Sequence, residues 1–587
     1  MARGDEVKLA DLRLYRAAFL PAVVAFVAMM FSLEGMPAGL EPIAPTGAYE
    51  GERATSIARE IVRIAAERQA GSEGDEAAAD LVRQNFDQIP AGSVSEQEFS
   101  AEVDGDDVDL TNVLVTLPGS ADRTIAIVAS RDSPQGPGAV TSAAATGVLV
   151  ELAQTLGVSG HDATYVLAST TGGEAGVRAF IEELPSRDTI DPLIIVSQPG
   201  AAEPSPPYAL ITSTGTRKGS VGLRSSAEAA IESQTDLTGD GESGFRQLAR
   251  LAFPSGLGEQ APLVADGIPA VRISSAGERR VAPEDDEPDD LSADSIDGFG
   301  RSIHGLVGAL DAGRPLDPSP DTYIEVSGNL VPAWTITLLA LALLLPALVA
   351  AVDAAARVMR RNGELVRALG WAAVRALPFV GALATLYALA AVGIVPRPEF
   401  PFDPGKYELG ARAVISFVLM LAVGAVSAVL LRLRKTTGTR APAGTAAGIG
   451  LVSVAALLVL WIVNPYAALL AVPAAHVWVL ADGTPSRLRT GLTFAAAALA
   501  VVPTVAALGS VTGVLEVGSD APWTLTLLVA DGQIGFFDVL AGCFLAGSLL
   551  GACALALGGG GQLPAPFTRA AAREPDLEAE PEDSDMR

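Results

Sequence analysis

The residues best placed to do chemistry in this sequence lie in a polar loop that follows an apolar run. The run Thr124–Ser130 is followed by Asp132 and Ser133, and a Gly-Pro-Gly-Ala turn then opens an alanine-rich stretch. A serine beside a carboxylate can act as a nucleophile when a histidine accepts its proton. No histidine lies at a plausible partner position, and no Gly-x-Ser-x-Gly turn is present. The pattern therefore does not favour serine catalysis.

The elements that must position this loop alternate between strands and helices. Apolar runs and helical periodicity predict strands at 108–117, 124–130, 164–169, 193–196, 209–213 and 270–274, and helices at 52–68, 73–86, 140–156, 174–184, 244–251 and 292–310. Strands that alternate with helices indicate a mostly parallel sheet with helices on both faces. We therefore expect an α/β fold for this part of the chain.

The rest of the chain is apolar. Mean hydropathy is +0.37, and runs of about 20 apolar residues match the thickness of a bilayer core. Spans are predicted at 17–33, 331–352, 376–395, 411–431, 448–463, 465–481, 491–508 and 535–557. The predicted organisation is a cytoplasmic N-terminus (1–16), an anchor (17–33), an extracytoplasmic α/β domain (50–314), a linker (315–330), a seven-span membrane domain (331–557) and a disordered acidic cytoplasmic tail (558–587). The first span could instead be a cleaved signal peptide.

Charge supports this topology. Arginines and lysines cluster after the second, fourth and sixth spans, and positive residues remain on the cytoplasmic side. We therefore expect a multi-pass plasma-membrane protein with both termini in the cytoplasm. The net charge of −28 argues against nucleic acid as a partner, and only Cys543 and Cys553 are present, both in the last span. The α/β domain consequently has no disulfides and no thiolate zinc site.

Several short motifs, in the correct order, resemble metallopeptidase family 28, the co-catalytic zinc exopeptidases. They are Arg68-Gln69-Ala70-Gly71-Ser72, Asn112-Val113, Leu117-Pro118-Gly119-Ser120, Glu151-Leu152-Ala153, Gly172–Gly176 and Gly267-Ile268-Pro269-Ala270. The resemblance covers residues 68–303 and implies a zinc-exopeptidase-like sheet with two zinc ions at its edge.

Most of the metal positions that the resemblance implies hold other residues. Asp132 matches the Asp of a His-x-Asp motif, and Glu174 matches the second, metal-binding Glu of a Glu-Glu pair. Ser130 stands at the His position, Thr141 or Ala143 at the bridging Asp, and Gly173 at the general base. Two zinc ions need about five histidine or carboxylate ligands. Asp132 and Glu174 are therefore expected to be remnants of the pocket, and no cofactor is expected.

The preferred interpretation is a catalytically inactive binding or scaffold domain, similar in this respect to transferrin-receptor ectodomains and nicastrin. The expected partners are membrane lipid, a peptide, protein or envelope ligand in the old substrate cleft, and other membrane subunits. The architecture resembles the peptidase-like subunit of the GPI transamidase and the vacuolar and endoplasmic-reticulum membrane proteases. The composition suggests a GC-rich bacterium.

Two alternatives remain open. One is a membrane metallo-aminopeptidase with a rearranged zinc site that uses Asp132 and Glu174. The other is a transporter or lipid-handling membrane domain with a regulatory ectodomain. For the latter, the ionisable residues Asp538 and His476 are the candidates, because a charge inside a bilayer is costly. The simpler interpretation is that a neighbouring helix supplies a hydrogen-bond partner for each of these two side chains.

Overall fold

A computed structural model describes residues 11–558 except 46, 104–105, 185–189, 240, 314–315, 317–319, 362–363, 399–401, 403, 408, 434–440 and 482–485. The predicted tail therefore lies almost entirely outside the described residues. The described chain contains an α/β domain between two apolar helical segments.

The α/β domain is built on a seven-stranded sheet. Its strands are β2 (Ser93–Val103), β3 (Asp106–Leu117), β4 (Thr124–Ser130), β5 (Thr164–Thr170), β6 (Ile190–Val196), β7 (Ala209–Leu210) and β8 (Ala270–Ile273), in the spatial order β2-β3-β5-β4-β6-β8-β7. The central strands β5, β4, β6 and β8 are parallel, and the outer strands β2, β3 and β7 pair antiparallel. The central strand β4 is buried almost throughout, because helices cover both faces.

The helices of this domain surround the sheet. They are α3 (Gly51–Ile64), α4 (Glu73–Phe86), α5 (Ala144–Gly157), α6 (Glu174–Glu183), α7 (Val221–Thr235), α8 (Gly244–Ala252), α9 (Gln260–Ala265) and α10 (Ala293–Asp311), and a π-helical turn at Ala139–Ala143 precedes α5. One apolar cluster joins α3, α5, α7 and α10 to one sheet face, and a second joins α6 and α9 to the other. The predicted fold class is confirmed.

The remaining helices are predominantly apolar and range from 4 to 28 residues in length. They are α1 (Leu12–Ala17), α2 (Leu20–Phe31), α11 (Ala333–Arg360), α12 (Leu365–Ala373), α13 (Leu377–Ala391), α14 (Ala411–Leu433), α15 (Thr445–Val463), α16 (Pro465–Ala471), α17 (Trp478–Ala481), α18 (Arg487–Val514), α19 (Ala521–Asp531) and α20 (Phe536–Gly558). Eight helical segments of the described chain are long and apolar enough to cross a membrane. One of them, Ala139–Gly157, is a core helix of the α/β domain, and a shorter apolar segment, Pro465–Ala481, lies among the others.

A second, three-stranded sheet lies where the two parts meet. Strand β1 (Glu34–Gly35) follows α2, and strands β9 (Tyr323–Val326) and β10 (Asn329–Pro332) precede α11. Strand β10 pairs antiparallel with both β1 and β9. The predicted linker at 315–330 thus includes a hairpin, and the chain enters and leaves the α/β domain through adjacent strands.

Candidate functional site: a cleft between the α/β domain and the membrane domain

The carboxyl ends of the parallel strands open into a cavity of about 880 Å³. Ser130 ends β4, Gly172–Glu174 follow β5, and Ser197 and Gln198 follow β6, and all of them line the cavity. Ligands of open α/β sheets bind at this edge, because the loops there converge. The volume falls within the usual range for ligand sites, roughly 300–1,000 Å³.

A buried ion pair fixes the loop that carries Asp132. Arg131 and Asp75 are 1% and 2% exposed, and the Arg131 Nε to Asp75 Oδ1 distance is 2.8 Å. Arg131 also donates to the carbonyl of Thr111 (2.6 Å), and the Thr171 hydroxyl donates to Asp75 Oδ2 (2.7 Å). The loops after β4 and β5 are therefore joined to the N-terminal turn of α4.

A second buried arginine holds the other end of the same loop. Arg68 is fully buried, and its guanidinium donates to the carbonyls of Ala65 (2.7 Å) and Pro137 (2.8 Å) and to Ser142 Oγ (3.0 Å). Burial lowers its pKa to about 10. This arginine belongs to the first motif of the family resemblance, and in the structure it fixes the loop by donating hydrogen bonds to backbone carbonyls.

Asp132 and Glu174, the two predicted pocket remnants, both line the cavity. Asp132 Oδ1 is buried and makes no hydrogen bond, and burial together with the negative charge of Asp75 raises the pKa of Asp132 to about 6. Glu174 begins α6 and accepts a 2.7 Å ion pair from Arg178. Asp132 is thus available to a ligand, whereas Glu174 is already paired.

The other predicted positions are distributed as follows. Ser130 and Thr141 line the cavity, Ala143 is buried in the π-helical turn, and Gly173 lies at the cavity with φ +57°, a left-handed conformation that glycine adopts without strain. The Ser130 hydroxyl lies 3.5 Å from Glu259 Oε1. Glu259, a lining carboxylate that is 8% exposed, was missed at the sequence level because it lies in no recognised motif.

The acidic run at 284–290 contributes a carboxylate to the site. Asp286 is 1% exposed and accepts hydrogen bonds from Val140 N (2.8 Å), Thr141 N (3.0 Å) and the Thr141 hydroxyl (2.6 Å). The first N–H groups of a helix lack intrahelical acceptors and attract anions. Asp286 therefore supplies a hydrogen-bond acceptor for the first N–H groups of the helix that begins at the cavity.

The loop that follows β8 is held by Gln198. The Gln198 side chain donates to the carbonyl of Arg279 (2.9 Å) and accepts from Val281 N (2.7 Å). Arg280, between them, faces the cavity and lies 3.4 Å from the Ser133 hydroxyl. This arrangement puts a guanidinium among the carboxylates of the cleft.

Two segments that connect the apolar helices complete the cavity wall. The connection between α13 and α14 contributes Phe402, whose N–H donates to the carbonyl of Leu257 (2.8 Å), and Tyr407. The turn between α19 and α20 contributes Asp531 and Gln533, which are hydrogen-bonded to each other at 3.1 Å. The cleft is thus shared between the α/β domain and the apolar helical part of the chain.

The residues present do not fit a zinc pair. Among the described residues, no group of three or more His, Cys, Asp or Glu side chains is arranged to hold a metal ion. His161 stacks on Tyr165, and His304 is buried in α10 near Tyr49. Burial lowers the pKa of His304 to about 4. The carboxylates of Glu174 and Asp286 are occupied by Arg178 and by the helix that starts at 139.

The structure does not bring Asp538 and His476, the candidate functional residues of the membrane part, together with the cleft or into a site of their own. His476 Nδ1 lies 2.8 Å from the Tyr15 hydroxyl, and its Nε2 lies 3.2 Å from the carbonyl of Leu343. Asp538 lies in the first turn of α20, and its buried Oδ1 has no hydrogen-bond partner. His476 therefore joins the first helix to the bundle.

No protein-family model matches this chain, and no curated protein matches it. Among solved structures, the chain is similar to a glutaminyl cyclase from an Acidobacteriales bacterium (16% identity, 47% of this chain, 99% of that chain, TM-score 0.37). It is also similar to the LapA aminopeptidase of Legionella pneumophila (13% identity, 45% and 72% of the two chains, TM-score 0.37). A Zn-dependent exopeptidase from Parabacteroides distasonis is a third (12% identity, 44% and 98%, TM-score 0.32). At such identities, a likeness of fold does not extend to activity.

Proposed function

We propose that this protein is a multi-pass membrane protein whose α/β domain is a non-catalytic binding module, and that its cleft holds a polypeptide segment of a partner. The observation that carries the proposal is the shared cavity. It lies at the ligand-binding edge of the sheet, contains a buried carboxylate oxygen without a partner, and is closed by loops of the membrane domain. A ligand in this position contacts both parts of the molecule.

The chemistry of the cleft supports binding rather than hydrolysis. A co-catalytic metal site needs several free imidazole and carboxylate ligands and a carboxylate base. At the predicted metal-binding position, Glu174 is paired with Arg178. At the predicted position of the general base, Gly173 has no side chain that accepts a proton. Ser130 has Glu259 and Thr170 within 3.5 Å, and among the described residues no histidine lines the cavity. A serine nucleophile therefore lacks the imidazole base of a Ser-His pair.

The contacts between the two parts support the proposed topology. Successive connections of the membrane domain reach the α/β domain: Phe402 contacts Leu257, Asn464 contacts the end of α8, and Glu516 forms an ion pair with Arg279 (3.3 Å). Along the chain, these connections alternate with the connections at the opposite ends of the helices. The arginines near those opposite ends are Arg357 and Arg360 at the end of α11, and Arg487 and Arg489 at the start of α18. The positive-inside rule then gives an extracytoplasmic α/β domain and cytoplasmic termini.

The function is tested on the full-length protein in lipid nanodiscs. We expect no stoichiometric zinc after equilibration with trace metal, no release of amino acids from peptide substrates, and saturable binding of a fluorescent peptide. Tightly held zinc with chelator-sensitive hydrolysis that is lost in Asp132→Asn and Glu174→Gln would instead establish an aminopeptidase. Solute flux or lipid transfer that is lost on Asp538→Ala or His476→Phe, with unchanged peptide binding, would move the function to the membrane domain.

The topology is tested with single cysteines in a Cys543→Ala, Cys553→Ala background. A membrane-impermeant maleimide applied to intact cells should label Asp289→Cys, on the exposed loop of the α/β domain, and should leave Arg367→Cys unlabelled until the cells are opened. Both parent side chains are exposed, so access to the reagent decides the result. The reverse pattern would invert the orientation.

A further inference from the structure

The charges that line the cleft are unbalanced. Among the described residues, eight acidic and four basic side chains line the cavity. Some of the acidic groups are satisfied within the protein: Glu174 by Arg178, Asp286 by the N–H groups that begin the helix, and Glu278 by Arg250 behind the cavity wall. The lining carboxylates that remain are Glu102, Asp106, Asp132, Glu259 and Asp531, and their negative charge favours a cationic ligand.

Asp132 and Glu259 are the important pair in this remainder. Asp132 Oδ1 is buried without a hydrogen bond, and Glu259, 8% exposed, has one contact of 3.5 Å with the Ser130 hydroxyl. Within the described chain, no ion pair within 4 Å involves either carboxylate. The negative charge of Glu259 is one of the causes that raise the pKa of Asp132, and both side chains line the same cavity.

Besides Arg178, which is paired with Glu174, two arginines line the cleft, and among the described residues neither forms an ion pair with Asp132 or Glu259. The Arg272 guanidinium donates to the carbonyl of Glu278 (3.0 Å), and Arg280 lies against the Ser133 hydroxyl. Buried carboxylates without partners cost free energy unless a cation neutralises them. A metal ion does not fit, since the described residues offer no cluster of three ligands. An organic cation needs only two hydrogen-bond acceptors.

We infer that the cleft recognises a positively charged side chain, the alkylammonium of lysine or the guanidinium of arginine, bound between Asp132 and Glu259. This inference rests on the proposed function and names the ligand class of the same cleft. Charge-assisted hydrogen bonds to two carboxylates supply both affinity and selectivity. Asp531, on the membrane-domain side of the cavity, adds a third negative charge to the field that attracts the ligand.

The test uses the full-length protein in nanodiscs and fluorescent peptides whose termini are both blocked, so that only side chains carry charge. Three peptides of the same length differ in one central pair: Lys-Arg, norleucine-glutamine or Glu-Glu. We expect the Lys-Arg peptide to bind roughly tenfold more tightly than the neutral one, the effect of about one charge-assisted hydrogen bond. High salt should weaken its binding in particular.

The matched variants are Asp132→Asn and Glu259→Gln, each of which removes one charge with little change of shape. Each should lower the affinity for the Lys-Arg peptide roughly tenfold and leave that for the neutral peptide unchanged. Asp289→Asn, the same charge change at an exposed position outside the cavity, should have no effect. Melting temperatures of all variants exclude misfolding as the cause.

The outcomes separate this inference from the proposed function. Equal or tighter binding of the neutral or Glu-Glu peptide overturns the cation inference and leaves the binding module standing. If no peptide binds, the proposed polypeptide ligand is wrong, and spermidine, a free polyamine, decides the ligand class. Spermidine binding that is lost in Asp132→Asn supports a cation site for small molecules, and its absence overturns the inference.

Discussion

The Asp286 carboxylate and the Thr141 hydroxyl form a 2.6 Å hydrogen bond across 145 residues of sequence. The same carboxylate accepts the N–H groups of Val140 and Thr141, so a single side chain from a distant loop begins the helix beneath the cleft. The loop and the helix therefore become ordered together, and the wall of the cleft depends on both.

Removal of this carboxylate should destabilise the protein. Asp286→Ala leaves two backbone N–H groups and the Thr141 hydroxyl without their acceptor, at a cost of about 1–3 kcal/mol for the buried donors. Thermal denaturation should show a lower melting temperature for Asp286→Ala and an unchanged one for Asp289→Ala, whose parent side chain is exposed in the same acidic run. Equal melting temperatures for the two variants would contradict the capping role.

Asp132 should make stability depend on pH. Its pKa in the folded protein, about 6, lies above its ordinary value of 3.8, because burial and Asp75 disfavour the ionised form. Its favourable contribution is present at low pH and is lost as the pH rises through about 6. Asp132→Asn does not titrate, so it should be more stable than wild type at pH 8 by about 1–3 kcal/mol and by much less near pH 4.

Melting temperatures measured across this pH range test the prediction, with Asp289→Asn as the variant that should follow wild type throughout. A difference between Asp132→Asn and wild type that does not change with pH would show that the pKa of Asp132 is the same in the folded and the unfolded protein, which contradicts the prediction. A stabilising substitution that abolishes ligand binding would be typical of a functional residue retained at a cost in stability.

Loss of either side chain of the buried ion pair Arg131–Asp75 should destabilise the protein. Arg131→Met leaves the Asp75 carboxylate buried without its cation, and Asp75→Asn leaves the guanidinium without its anion. Each should cost about 3–5 kcal/mol. Limited proteolysis should cut the α/β domain of both variants faster than that of wild type. The exposed pair Arg83–Glu96 (2.8 Å) provides the control, and Arg83→Met should change stability by less than about 1 kcal/mol.

Asn464 should couple the α/β domain to the membrane domain. It is 3% exposed; its Nδ2 donates to the carbonyls of Leu251 (3.2 Å) and Ala252 (3.1 Å) at the end of α8, and its Oδ1 accepts the first N–H groups of α16. Asn464→Ala removes all of these bonds and should cost about 1–2 kcal/mol for the cap alone. Faster hydrogen exchange in both α8 and α16 would confirm the coupling. Asn329→Ala, which loses one exposed bond within its own turn, should leave both unchanged.

The sequence predicts those features of this fold that depend on local patterns. The strand Thr124–Ser130 was expected with the observed bounds, because a central parallel strand must be apolar on both faces. The apolar runs similarly predict long helices, since crossing a bilayer needs about 20 apolar residues. The polar helix α7 and the two-residue strand β1 were missed, because neither has an apolar pattern long enough to recognise.

The composition of the cleft could be predicted only in part. Asp132 and Glu174 follow the ends of neighbouring strands, so their convergence is a consequence of parallel topology. Asp286 is one of six acidic residues in 284–290, and only its contact with a helix 145 positions away distinguishes it from the exposed others. Glu259 and Phe402 likewise reach the cleft through tertiary packing that no local pattern encodes.

The pairing of β1 with β10 has a consequence for how the molecule can be divided. Strands β1 and β9 flank β10, so Gly35 and Val326, which both pair with Asn329, lie about two interstrand spacings apart, roughly 10 Å. Tyr323 lies three residues farther along β9, roughly 14 Å from Gly35. Everything between them, residues 36–322, is an insertion between the first two strands, in chain order, of a short three-stranded sheet. Strands β1 and β9 run parallel on either side of β10, so a linker that replaces the insertion must cross β10 and needs about a dozen residues. Deletion of residues 36–322 and insertion of such a linker would therefore give the helical bundle without its α/β domain, as a natural variant or as a laboratory protein.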